Sequence, residues 1–284
     1  ATVLEVGGVA PLLAVLRTSG SLQREQAAAA LARLANGSAA AQAAIAAEGG
    51  ISPLLNIVEG VNCRDGKETA AARVHAASAL ASLARLAANR DTIVESGGIT
   101  PLVALLNDGE DAAKTGAAAA LACIAVANAS TPGAIAQSGA ISPLVSLLTG
   151  EHGAAAQEAA AGALHALAHD ADNRIAIAEA GAIGHLVLLL GSANPLTSEF
   201  AEGALVRLSI ENSNRELIIH KLVGMLYDKG SEAGGEEQAA AALANLASDS
   251  DANRDSIVEA GGIAPLLSLL ETSSSTKAKE RAIG

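Results

Sequence analysis

The sequence predicts an all-α solenoid, and three recurring features carry that prediction. A motif of the form G-x-I-x-P-L-L-x-L-L returns as GGVAPLLAVL, GGISPLLNIV, GGITPLVALL, GAISPLVSLL, GAIGHLVLLL and GGIAPLLSLL. Its fifth positions are Pro11, Pro53, Pro101, Pro143, His185 and Pro265. The spacing is nearly regular, somewhat longer from Pro53 to Pro101 and about doubled from His185 to Pro265, an interval that spans two units. Half a unit further on comes an Ala-rich stretch around Leu31, Leu80, Leu121, Leu164, Leu205 and Leu243. A third signature, an Asn-Arg pair before a short apolar run, appears at Asn89, Asn173, Asn214 and Asn253. Self-similarity at a period of about 40–47 residues, in segments of helical pattern, marks stacked helical units.

Each unit reads as short helix, helix, long helix. The Gly pair ends helix one, because Gly tolerates the left-handed backbone that a helix stop requires. Pro then falls in the first turn of helix two, where a missing N–H costs nothing. Helix three shows the helical period: Ala160, Ala161, Leu164, Leu167 and Ala168 form one apolar stripe. The pattern gives one array over residues 1–284, with six full or nearly full repeats and a truncated seventh. Unit two holds six extra residues within 59–67, expected as an exposed loop. Unit six is short: the stretch from Asn214 to Leu222 stands where unit five has the longer stretch from Asn173 to Leu186. Its first two helices are expected to merge, or the first to be lost. The array opens inside a first helix, and residues 277–284 begin another third helix. Neither end shows the polar cap of a free solenoid. A segment of a longer array, or ends covered by further repeats or partner subunits, is therefore expected.

Half of the residues are apolar, yet there is one Phe, one Tyr and no Trp. The core must be built from Leu, Ile, Val and Ala, each contributing roughly 25 cal/mol per Å² of apolar surface buried. Net charge is −12, divided unevenly. Residues 1–142 hold 11 acidic and 9 basic residues, and residues 143–284 hold 19 and 9, giving −2 and −10. This balance opposes nucleic acid and anionic membrane surfaces as partners, since both require clustered Lys and Arg. No stretch has the length and apolarity of a membrane span, and no secretory signal is expected. Cys63 and Cys123 follow no metal-ligand spacing, so free thiols in a reducing compartment, cytosol or nucleus, are expected.

Enzyme signatures are lacking. There is no G-x-S-x-G elbow and no phosphate loop, and the Gly pairs follow helices and not strands. His165 and His169 are spaced i, i+4, which can hold zinc. No glutamate stands between them as in H-E-x-x-H, so a solvated helix face is expected. No metal or cofactor is expected.

The six copies resemble armadillo repeats, in the style of plant and algal arrays and of the vacuolar armadillo proteins, over nearly the whole chain. The resemblance implies a right-handed superhelix whose third helices line a concave groove for extended partner segments. In such arrays an Asn two residues after the motif Leu pairs with the partner backbone, as an amide can both donate and accept. A Trp four residues before that Asn often flanks the pockets. Here the Asn positions are Arg33, Ser82, Cys123, Ala166, Arg207 and Asn245. The Trp positions are Ala29, Ser78, Ala119, Gly162, Gly203 and Ala241. Binding of the nuclear-import type, with Lys and Arg stacked on Trp, is therefore not expected. A floor of small residues would admit bulky partner chains, including a helix. Arg33 and Arg207 either meet partner carboxylates or are solvated or paired with neighbours. Glu158, Glu199 and Glu237 recur near the groove edge and read as surface carboxylates before any signal for a basic partner. The expected function is a non-catalytic adaptor that binds a protein segment in the groove. A structural subunit of a large assembly, or the substrate-binding region of a U-box ubiquitin ligase, are the alternatives.

Overall fold

In the computed structural model, residues 7–61, 68–227 and 235–272 are described, and they form 18 α-helices, one 3-10 turn and no strand. Helices α1 (Val9–Thr18) and α2 (Ser21–Ala35) are the second and third of the first unit. Complete triplets follow. They are α3 (Ala39–Ala47), α4 (Ile51–Glu59) and α5 (Ala70–Ala84), then α6 (Ala87–Glu95), α7 (Ile99–Asp108) and α8 (Asp111–Ile124). Next come α9 (Thr131–Gln137), α10 (Ile141–Leu147) and α11 (Ala154–Leu167), then α12 (Ala171–Glu179), α13 (Ala182–Leu189) and α14 (Pro195–Leu208). A single helix, α15 (Asn212–Tyr227), precedes α16 (Gly235–Asp249), and α17 (Asp251–Glu259) and α18 (Ile263–Thr272) end the described chain. Residues 1–6, residues 62–67 of the unit-two insertion with Cys63, and residues 277–284 lie outside the described residues.

The Gly corner works as a helix stop with a second function. Gly49 takes φ +73°. It donates to the Ala46 carbonyl while Gly50 donates to that of Ile45, the paired bonds of a Schellman motif. Gly50 itself is right-handed, but a Cβ there would stand 2.6 Å from Ile45 Cγ2, so this second Gly permits close packing. Unit six lacks the corner, and its first two helices merge into α15. The continuous helix buries Ile218, Ile219, Leu222, Val223 and Leu226, so neither helix is lost.

Third helices stack on one another in chain order: α2, α5, α8, α11, α14 and α16. All six motif leucines are at most 1% exposed. Buried alanine pairs, such as Ala76–Ala77 and Ala117–Ala118, lie one turn before them and let neighbouring helices approach closely. A Cβ on Gly116 of α8 would meet Ala77 Cβ at 3.0 Å.

The Asn-Arg pair closes the third helices. Asn89, buried, donates to the Leu83 carbonyl (3.0 Å) and to that of Gln42 in the preceding unit (3.3 Å). Asn173 holds the Leu167 carbonyl and Asn253 that of Leu246. Arg90 adds a bond to the Ala84 carbonyl (2.9 Å). These side chains satisfy carbonyls that a helix end leaves without intrahelical partners. In α9 the corresponding place is taken by Thr131, whose buried hydroxyl has no partner among the described residues.

Candidate functional site

Opposite their buried stripe, the third helices present small and polar residues along one layer. Two hollows open there. The first, about 490 Å³, lies between α8 and α11 and brings together Cys123 and Ala166. Ala119, Ala122, Ala159 and the half-exposed Val126 give it apolar walls. The second, about 800 Å³, lies between α14 and α16 and brings together Arg207 and Asn245, with Arg215 of α15. His165 borders both hollows. Arg33 and Ser82, on α2 and α5, border neither of them.

Local fields set the chemistry of these groups. Burial pushes the Cys123 thiol up, against the opposing pull of Arg90 and Arg85. It is a free thiol and stays protonated, hence a poor nucleophile. Burial, then Arg207 and His169, push His165 down from 6.5 to about 4. His169 is lowered by burial and by Arg207, whose Nη1 lies 3.1 Å from its Nδ1. Both imidazoles are therefore neutral near pH 7, and their rings stack with centroids 6.3 Å apart. The expected solvated face holds for His169, which is exposed, and is corrected for His165, which is half-buried between the two hollows with the rings of His169 and Phe200 beside it. Among the described residues, no group of three His, Cys, Asp or Glu is placed to hold a metal.

The edge carboxylates are mostly engaged. Glu158 accepts from Asn194 Nδ2 at 2.6 Å, which explains its place as an internal tie between units. Asn245 gives its amide N–H to Glu202 Oε1, so a peptide backbone would have to displace that bond. Glu199 stands exposed on the rim of the larger hollow. Among the described residues, no helix is long and apolar enough to cross a membrane.

A family model described as the plant U-box protein ARM repeat region matches residues 9–283. The chain belongs to this armadillo-repeat family. Among solved structures, an engineered protein is 32% identical over 96% of this chain and 66% of its own, with a TM-score of 0.74. A designed armadillo repeat protein in complex with the peptide (KR)4 is 21% identical, covering 96% of this chain and 95% of its own at a TM-score of 0.62. A chain from work on the interaction between cadherin and β-catenin is 17% identical, covering 97% of this chain and 51% of its own at a TM-score of 0.70. The last two likenesses are of fold alone. The armadillo array thus spans 66% of the engineered chain's length and about half of the other. No protein of curated function matches it.

The array departs from its family pattern in a reciprocal way. At two of the positions where related arrays often place Trp, this chain has Gly162 and Gly203. Phe200 of α14 covers Gly162, with ring carbons 3.3 Å from where a Cβ would stand. His165 of α11 covers Gly203, with Nε2 at 3.0 Å. Each helix thus receives a ring from the other, and the expected open floor of small residues is filled at these two places. It stays open at Ala119 and Ala122.

Proposed function

We propose that this armadillo array is a non-catalytic scaffold that binds a segment of a partner protein along its third-helix groove. The observation that carries the reading is the succession of two open hollows along one helix layer, meeting at His165. Concave sites with apolar walls and a few placed polar groups are where proteins hold ligands. A designed protein of this fold holds a (KR)4 peptide. Here Arg207 and Arg215 border the larger hollow and no Trp is present, so that basic peptide chemistry does not carry over. The test is to capture partners on the immobilised chain and measure their affinity for Ala155→Phe and Asn245→Ala variants. Ala155 is exposed on the edge of the smaller hollow, so a ring there obstructs it without entering the core. Loss of affinity is expected. Binding that survives both changes but is lost in Leu188→Glu, on the exposed face of α13, would move the site off the groove.

The family match favours one more specific reading. In a protein that also carries a U-box, this groove would present a substrate for ubiquitin transfer. Ubiquitination of a captured partner, lost in Ala155→Phe, is the outcome expected of that reading. Transfer that ignores an obstructed groove counts against it.

A further inference from the structure

The two hollows differ in chemistry, and the difference describes the occupant. The smaller is walled by Ala119, Ala122, Ala159, Val126 and Phe200, with Val126 50% exposed and uncovered by the described residues. The ring that divides the hollows, His165, carries no charge at pH 7. Such a place receives a large apolar side chain.

The larger hollow has two guanidinium groups without carboxylate partners among the described residues. Arg207 has His169 as its hydrogen-bond partner, and Arg215 makes no ion pair there. The Nε atoms of both are buried without a partner among the described residues. This is unusual in a half-chain of net charge −10. The nearby carboxylates have other partners: Glu211 pairs with Arg174 at 2.9 Å, and Glu202, which also lines the hollow, accepts from Asn245. Burial first, and then nearby Arg174, lower the pKa of Arg207.

We propose that the groove takes an extended segment bearing one large apolar side chain and, about six residues away, one or two carboxylates. The inference rests on the groove reading above and adds the chemistry of the partner. The spacing follows from packing. From the α8–α11 hollow to the α14–α16 hollow is two helix spacings of roughly 8–10 Å each. An extended chain covers about 3.3 Å per residue. Guanidinium groups suit carboxylates because their fork of donors matches two oxygens.

The experiment is selection of random 12-residue peptides displayed on phage against the whole chain. Enriched peptides are expected to pair a Leu, Ile, Phe or Trp with Asp or Glu at a separation near six. For a representative peptide, Arg207→Gln with Arg215→Gln should weaken binding at least tenfold, and Ala155→Phe should weaken it independently. Circular dichroism and melting establish that each variant is folded. Salt supplies a second measurement that needs no mutation, read through the exposed part of each half-buried guanidinium. Between 50 and 500 mM NaCl the acidic peptide should lose at least fivefold in affinity and its Gln version little. Enriched peptides without acids that Ala155→Phe blocks would overturn this proposal and leave the groove reading standing. Acidic peptides indifferent to all three substitutions would overturn both. Failure to enrich any peptide would overturn the proposal alone, since the groove reading is tested by partner capture.

Discussion

Phe200 lies against Gly162, its ring carbons 3.3 Å from the position of a missing Cβ. The pair joins α14 to α11 where related arrays often carry Trp. Gly inside a helix costs about 1 kcal/mol relative to Ala, so the contact must offset that cost. Gly162→Trp should therefore destabilise the array by about 1–3 kcal/mol, because the new ring needs space that Phe200 occupies. Phe200→Ala should relieve most of the penalty. Denaturant unfolding of both single variants and the double variant gives the coupling energy. A coupling near zero would mean that the two sites do not share space.

His165 makes stability depend on pH. Its folded pKa is lowered from 6.5 to about 4, by burial first and then by Arg207 and His169. Between those values the unfolded chain binds the proton and the folded chain does not. Stability is therefore fully present above 6.5 and lost as pH falls towards 4. The ring is only partly buried, so the contribution is about 1–2 kcal/mol once solvent screening is allowed for. Carboxylates titrate in the same range, so the readout is a difference. The fall in stability from pH 7 to 4.5 should be smaller in His165→Gln than in the parent chain. Parallel profiles would show that this ring does not titrate as described.

Asn89 and Asn245 are both asparagines of helical units, with opposite roles. Asn89 is 4% exposed and holds two carbonyls, one of them in the neighbouring unit. Asn89→Ala removes two buried hydrogen bonds and should cost about 1–3 kcal/mol. Asn245 is exposed, and Asn245→Ala should change stability by no more than about 0.5 kcal/mol. Equal losses in thermal or urea unfolding would contradict this division.

The helical framework was legible because it depends on local chemistry. The stripe through Leu164, the Gly corners and the missing corner of unit six all act within a few residues. What the sequence hid were relations between units. The Asn-Arg pair reads as a helix start, while its hydrogen bonds go to the end of the helix before it and to the previous unit, a backbone partner with no sequence signature. Phe200 and Gly162 belong to successive units and meet because α11 and α14 are neighbours. The chain's one Phe, set against two Gly at Trp positions, was the signal that could have revealed them. Arg215 appears in the sequence only as half of a structural pair, and the fold turns it into the larger hollow beside Arg207.

The last relation ties the unit-two insertion to the first unit. Arg24 of α2 and Glu68 form an ion pair at 3.0 Å, each side chain 1% exposed. Arg24 also donates to the Val61 carbonyl, and Thr69 donates to Glu25 at 2.8 Å, so both flanks of the insertion are held against α2. Removing one partner of a buried pair strands the other charge away from water. Glu68→Ala should therefore destabilise the array by about 3–5 kcal/mol. Replacing both, as Arg24→Met with Glu68→Leu, removes the stranded charge and should recover much of that loss. Limited proteolysis reports the same coupling, with cleavage within residues 59–67 faster in Glu68→Ala than in the double variant. If the double variant unfolds as readily as the single one, the pair positions the segment through hydrogen bonds that apolar side chains cannot replace.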